Sequence, residues 1–195
     1  MRILISGAGI AGLSTAITLA AEGHQTTVVE RADRLRTTGS PIDIRGDALA
    51  VADRMGVLES IRRARIDMSE RVQFVTSTGD VVAEIPPDEV NDSADDIEIP
   101  RQDLIEILRD RLDPTTAVRF GDFVVGLDDH ADGLDVTFAA GTRERYDLVV
   151  GADGLHSGIR RLGFGPESHH LRHLGFYIAL AALPDFHPTS RINPM

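Results

Sequence analysis

Residues 1–31 read MRILISGAGIAGLSTAITLAAEGHQTTVVER, and this stretch decides the fold. Arg2 to Ser6 is a short apolar run of strand type. It opens onto Gly7-Ala8-Gly9-Ile10-Ala11-Gly12, and an Ala/Leu-rich helical segment continues to Ala21. Gly23 stands where a helix C-cap belongs. Thr26 to Val29 is a second β-branched run, and it ends on Glu30. The pattern is a βαβ unit with a glycine fingerprint at its first turn and an acid at the end of its second strand.

The spacing has a physical reading. Gly7 permits a tight turn out of the strand. Gly9 lets a pyrophosphate approach the backbone, and Gly12 lets the helix pack close to the strand. The helix N-terminus then offers amide N–H groups and a positive dipole end to phosphates. Glu30, eighteen residues after Gly12, accepts hydrogen bonds from ribose hydroxyls. An acid there favours an unphosphorylated ribose, as in FAD or NAD, over NADP. A secretory signal is the competing reading, with Arg2, an apolar stretch and small residues near Ala20 and Ala21. Glycines interrupt that stretch and a second strand completes the unit, so the expected location is the cytoplasm.

Composition narrows the partners. A chain of 195 residues is long enough for one substantial domain or one and a half. Its net charge of −11 argues against a nucleic-acid partner, which requires a basic surface. No apolar run reaches the roughly 18 residues of a membrane span. Cysteine is absent, which removes disulfides, thiol nucleophiles and Cys-ligated metals.

Beyond the first unit, Arg31, Arg34, Arg36 and Arg45 gather around a Gly39-Ser40-Pro41 loop. Arginine suits phosphate through its planar donor fork, although a solvated basic loop reads the same way. Ile42 to Arg45 is a short extended piece. Asp47 to Met55 and Val57 to Arg65 read as helices separated by Gly56. Val72 to Thr76 and Val81 to Ile85 form a hairpin around Thr78-Gly79-Asp80. Residues 88–96 are an acidic loop without metal-loop spacing.

The segment beginning at Ile97 is expected to run into a helix whose buried face is Leu104, Ile105, Leu108 and Leu112, ended by Pro114. From Ala117 the pattern is β. Val118 to Phe120, Phe123 to Leu127 and Leu134 to Phe138 are expected to form a three-stranded meander. Asp147 to Val150 follows as a buried parallel strand. It feeds Gly151-Ala152-Asp153-Gly154 and then Leu155 to Arg161, a turn opening a helix, so that a second strand–glycine turn–helix unit brings backbone and one acid towards a ligand. His169, His170 and His173 lack a partner at metal-ligand spacing, so no metal site is expected. Phe176 to Leu183 reads as a strand, and the segment from Pro184 onward as loose.

Taken together the motifs resemble the flavin-dependent monooxygenases of the aromatic hydroxylase type, the p-hydroxybenzoate hydroxylase-like and tetracycline-modifying enzymes. Three stretches carry the resemblance: Gly7-x-Gly9-x-x-Gly12 with Glu30-Arg31, Pro100-Arg101-Gln102-Asp103-Leu104, and Asp147 to Arg160 with its Asp153-Gly154 pair. The third looks like the family's DG motif and is the most specific. Ile42-Asp43-Ile44-Arg45-Gly46 resembles the stretch that passes the isoalloxazine ring.

The resemblance implies an α/β fold. A Rossmann-like FAD-binding domain with a three-stranded β-meander would be assembled from 1–69 and 97–175. The start of a β-sheet substrate domain would come from 70–96 and 176–195. It implies FAD as cofactor, NAD(P)H as cosubstrate, and O2 with a small organic substrate as partners. Reduced flavin takes up O2 as a C4a-hydroperoxide and passes one oxygen to the substrate. No catalytic side chain is nominated, because the cofactor carries the chemistry. Gly7, Ala8, Gly9, Ile10, Ala11 and Gly12 would take the pyrophosphate, and Glu30 the adenosine ribose. Arg31 would stand at the adenine end. Arg45, Gly46 and Arg101 would stand at the flavin, and Asp153 and Gly154 at the DG turn. The likeness covers about the first half of a typical member, so a truncated member is expected, with an apolar sheet face left uncovered. Two other readings stay open: a non-catalytic nucleotide-binding fragment, and an NAD-binding dehydrogenase or flavin oxidase sharing the βαβ start.

Overall fold

In the computed structural model, residues 1–36, 38–66, 72–76, 78–85, 93, 95–175 and 177 are described. They fall into two compact units. One is Met1–Thr38 with Arg101–Tyr177; the described part of the other lies within Gly39–Pro100.

The first unit is built on a parallel sheet. Strand β1 (Arg2–Ser6) leads through helix α1 (Ile10–Ala21) to β2 (Gln25–Glu30). Ile3, Leu4, Ile5, Val28 and Val29 are buried, as a central parallel strand requires. The sheet gains β7 (Ala117–Phe120) beside β2 and β11 (Leu148–Gly151) beside β1, all parallel. Counted in chain order its strands run 3-2-1-4, so the order reverses between β1 and β11. In an open α/β sheet, ligands bind at such a reversal, outside the carboxyl ends of the strands.

Helix α4 (Arg101–Asp110) packs on α1. Its buried residues are Leu104, Ile105 and Leu108; it ends at Asp110, so Leu112 falls beyond it. Three antiparallel strands, β8 (Val124–His130), β9 (Gly133–Phe138) and β10 (Arg143–Tyr146), form the meander. Its Val124, Val136, Phe138 and Tyr146 share a buried cluster with Leu4, Val29 and Ile159. Leu4 points to this cluster while Ile5 contacts the α1 side, the alternation expected along a strand.

The meander therefore has different members from those expected. Val118 to Phe120 leaves it for the parallel sheet, and Arg143–Tyr146 takes its place. Three of that strand's four residues are charged, which hides it from an apolar pattern. The charges are partnered: Arg143 with Asp128, Arg145 with Asp132, and Glu144 with Arg2 and Arg119. Strand β11 is parallel as expected but incompletely buried. It is the outer strand, and Leu148 is exposed.

Glu144 is the clamp between meander and sheet. It receives Arg2 Nη2 at 2.6 Å, Arg119 Nη1, and the Tyr146 hydroxyl at 3.1 Å. Arg2 also lies 4.6 Å over the Tyr146 ring. The Arg119 bond holds the Glu144 carboxyl below its usual range, against the opposing effect of burial. A group depressed on folding contributes stability above its unfolded pKa and loses it as pH falls through the folded value. Thermal stability is therefore expected to fall on acidification below about pH 4.3, the ordinary glutamate value. Glu144→Gln should cost about 1–2 kcal/mol near pH 7, at the low end for bonds to charged groups because both arginines are more than a third exposed. It should also flatten the acid limb of a Tm-against-pH series. An unchanged acid limb in the variant would show that the clamp contributes nothing.

In the second unit, β3 (Ile42–Ile44) pairs antiparallel with β6 (Ile97–Ile99), Asp43 lying directly opposite Glu98. Ile97 to Ile99 is thus a strand, not the run-in to a helix. Helices α2 (Asp47–Arg54) and α3 (Leu58–Arg63) follow β3, with Gly56 between them at φ +71°. The expected hairpin is present as β4 (Val72–Val75) and β5 (Val81–Ile85), antiparallel with a register shift at Phe74/Val75. Phe74, Val81 and Val82 are exposed. The strand expected at 176–183 and the segment from Pro184 lie outside the described residues, Tyr177 apart. Of the acidic stretch 88–96, residues 93, 95 and 96 are described. Among the described residues no helix is long and apolar enough to cross a membrane, and no three His, Asp or Glu side chains gather as a metal site.

Candidate functional site

The strand-order reversal puts two glycine turns side by side: Gly7–Gly12 after β1, and Ala152–Ser157 after β11. Ala152 N–H donates to Ser6 O at 2.8 Å, locking the two exits together. Gly7, at φ +107°, is packed so closely that a Cβ would stand 2.4 Å from Ala152 O. Gly12 is tighter still, its Cβ position lying 1.8 Å from Gly7 O. These two glycines are required by the fold itself.

Gly9 is different. Its φ of −80° and ψ of −175° suit any residue, and a Cβ there would meet nothing within 4 Å. It is the N-cap of α1 and gives no side-chain cap, and the first turn of α1 holds no acid. The amides of Ile10, Ala11 and Gly12 thus have no intrahelical acceptor, and among the described residues no group caps them in its place. Space beside Gly9 and an uncapped positive helix end are what a diphosphate needs. Residues 7–12 therefore fit FAD.

The helix after the second turn, α5 (Gly158–Phe164), has its end satisfied from within the chain. Asp153 Oδ2 accepts from Gly158 N at 2.7 Å and from Ile159 N at 3.1 Å. Its Oδ1 accepts from the Ser157 hydroxyl, whose oxygen accepts from Arg160 N at 3.0 Å. The acid of the second glycine turn thus stiffens that turn against Gly7. Toward a ligand the turn presents its backbone at Gly154, which sits at φ +83° with nothing near its Cβ position. Ser157 went unread as a capping residue, although a serine opening a helical run is a recognisable N-cap signal.

Glu30 lies at the end of β2 beside the first turn. Its Oε2 accepts from Ala8 N and its Oε1 from Ala32 N, both at 2.9 Å. A carboxylate offers about four acceptor positions, so these two bonds orient it and leave capacity for ribose hydroxyls. Next to it, the Arg31 guanidinium stacks 4.6 Å over the Phe123 ring. Arg101 is the first residue of α4 and half-buried. Among the described residues its side chain makes no ion pair or hydrogen bond. A cation at a helix N-terminus opposes the dipole, so its placement answers to something other than helix stability.

Arg45 and Gly46 belong to the second unit. Arg45 Nη2 donates to Asp43 Oδ2 at 3.0 Å, and its Nε lies 3.8 Å from Asp96 Oδ2. Gly46, at φ +51°, is the N-cap of α2. Asp96 is a residue that sequence reading passed over, because one acid within an acidic loop carries no signal of its own.

A parallel sheet of this order, with a diphosphate-shaped turn at its reversal and an acid beside it, defines a dinucleotide-binding protein. The chain belongs to the FAD binding domain family, whose model matches residues 1–185. It is 37% identical over 187 residues to an uncharacterized protein of Mycobacterium tuberculosis, covering 94% of this chain and 50% of that one. It is 34% identical over 194 residues to a flavin-dependent monooxygenase of Legionella longbeachae, covering 99% of this chain and 49% of that one. Among solved structures, the tetracycline destructase Tet(51) superposes with a TM-score of 0.72 at 37% identity, over 84% of this chain and 41% of that one. The chain spans about half the length of the curated relatives it matches.

Proposed function

We propose that this chain is the FAD-holding part of an NAD(P)H-dependent monooxygenase that acts, with O2, on a small organic substrate in the cytoplasm. The observation that carries the reading is the open space at Gly9 before an uncapped α1, with the Glu30 carboxylate bonded to the same turn. The likeness to proteins named flavin-dependent monooxygenase supports it. Bound FAD supplies the two-electron and oxygen chemistry that side chains lack.

The chain's own residues bind and orient. Amides at Ile10, Ala11 and Gly12 hold the pyrophosphate, with Gly7, Ala8 and Gly9 shaping the approach. Glu30 receives the adenosine ribose, and Arg31 stands at the adenine end. Arg45, Gly46 and Arg101 serve the flavin ring, and Gly154, in a turn held by Asp153, lies along the cofactor. Residues 1–69 and 97–175 carry these roles; 70–96 and 176–195 belong with the substrate.

The test is a visible absorbance spectrum of the purified chain after incubation with FAD and desalting. A retained flavin spectrum is expected, together with oxygen-dependent NAD(P)H oxidation that the chain without FAD does not support. A chain shown to be folded by circular dichroism that retains no flavin would sink the reading.

A further inference from the structure

Arg31 carries a charge that no acid holds. The carboxylate of its neighbour Glu30 accepts from the amides of Ala8 and Ala32, and among the described residues Arg31 makes no ion pair and no side-chain hydrogen bond. A second cation stands close by. Arg31 Nη2 is 4.0 Å, and Arg161 Nη2 3.8 Å, from the point where a Cβ on Gly158 would lie. Asp153 Oδ2 is 3.5 Å from that point, but it accepts from the amides of Gly158 and Ile159. Like charges repel, and an exposed arginine loses rotamer freedom when held in one place. Both effects favour a guanidinium swung out into solvent. The structure instead places it 4.6 Å over the Phe123 ring.

Phe123 is fixed by the turn it sits in. Gly121 N–H donates to Ala32 O at 2.9 Å and Asp122 N–H to Glu30 O at 3.2 Å, so the turn after β7 is bonded on both sides of Arg31. Asp122 Oδ1 accepts from Phe123 N at 2.9 Å and from Ala140 N at 3.1 Å. Ala139 N–H donates to Phe123 O at 2.9 Å. All of these residues lie in the unit built on the parallel sheet.

We propose that Phe123 is a positioning residue for Arg31: its ring face holds the guanidinium at the adenine end of the cofactor site, already ordered when FAD arrives. The inference rests on the assignment of Arg31 to the adenine end made above. A carboxylate in the same place would neutralise the arginine and occupy its donors. A ring face attracts the cation without doing either, so Arg31 keeps its charge and its donor fork for the ligand. Ordering a flexible side chain beforehand lowers the cost of binding.

The experiment titrates the purified chain with FAD, read by flavin fluorescence, and then displaces the FAD with ADP, which carries the adenosine end alone. The proteins are wild type, Arg31→Ala, Phe123→Leu, Phe123→Tyr and Arg31→Ala/Phe123→Leu, each also melted without ligand. Phe123→Met replaces Phe123→Leu if the latter does not fold. Arg31→Ala is expected to weaken FAD about tenfold, the scale of one hydrogen bond to a charged group. Phe123→Leu should weaken it about fivefold, the scale of an exposed cation–π contact, and ADP by the same factor. Phe123→Tyr keeps the ring face and should bind within about twofold of wild type. Because Phe123 acts through Arg31, the double variant should bind within about twofold of Arg31→Ala alone. A merely structural Phe123 would lower Tm and leave FAD affinity unchanged, and that result overturns the proposal. So does a fivefold loss that persists in the Arg31→Ala background, a loss in Phe123→Tyr equal to that in Phe123→Leu, or a loss for FAD that ADP does not share. ADP that fails at millimolar concentration to displace FAD from wild type overturns it too, since the adenine end then carries no affinity. If wild type binds FAD and Arg31→Ala binds it equally, the positioning proposal fails while the FAD reading stands. If folded wild type binds no FAD, both fail.

Discussion

Gly12→Ala is expected to abolish the cooperative melt of this chain or to lower its midpoint steeply. The added Cβ would lie 1.8 Å from the backbone oxygen of Gly7 and 3.5 Å from Ile5 Cγ2. No flexible side-chain end is available to give way. Gly7 cannot retreat, because its own Cβ position is already 2.4 Å from Ala152 O, and its φ of +107° belongs to glycine. Relief requires α1 to lift off β1, which separates Leu13, Ala16 and Ile17 from the sheet. Overpacking in a tight core costs about 1–3 kcal/mol and more where backbone must move, against a typical total of about 5–15 kcal/mol. Circular dichroism should show loss of the native transition or a fall in Tm of more than about 10 °C. A melt within about 3 °C of wild type would contradict the packing described between the two glycine turns.

Gly9→Ala is expected to give the opposite separation: the fold persists and FAD binding is weakened. Three residues away in the same turn, a Cβ at Gly9 meets nothing within 4 Å, and the backbone there is extended. The cost to stability is about 0.5–1 kcal/mol, since alanine is a poorer N-cap than glycine. The methyl group instead occupies the space through which a diphosphate reaches the amides of Ile10, Ala11 and Gly12. Losing two such charge-assisted bonds weakens FAD about a hundredfold. A fluorescence titration beside a thermal melt reads both quantities. FAD affinity unchanged in Gly9→Ala would move the pyrophosphate away from this turn. The two glycine variants together divide the motif into a part that builds the protein and a part that faces its ligand.

What was legible in the sequence was whatever is decided locally. The succession β1, α1 and β2 follows from a strand-period run, a helix-period run and glycines at the boundaries, all within thirty-one residues. Glu30 is placed by the same arithmetic, and the turn chemistry pointed to FAD or NAD; the family resemblance then singled out FAD, in agreement with the family of the chain. The helix at Arg101 and the turn at Asp153-Gly154 were readable for the same reason.

Strand partners were decided elsewhere. Ala117–Phe120 has the look of a meander strand, yet it lies beside β2, because a parallel neighbour is chosen by long-range pairing and not by its own four residues. Arg143–Tyr146 is a strand despite its charges, because Asp128, Arg2 and Arg119 converge on them from other strands and Asp132 from the β8–β9 turn. Ile97–Ile99 becomes a strand through pairing with Ile42–Ile44.

The roles within the turns divide the same way. From the sequence, Gly7 reads as the tight turn, Gly9 as the approach for a pyrophosphate and Gly12 as the close helix contact, and Asp153 as an acid near a ligand. Only the tertiary structure shows that Gly7 and Gly12 are held by backbone contact, that Gly9 is not, and that Asp153 caps α5. The reason is physical. Periodicity and turn chemistry report the conformation of a short segment, whereas a Cβ clash or a carboxylate's partner depends on atoms brought from distant parts of the chain.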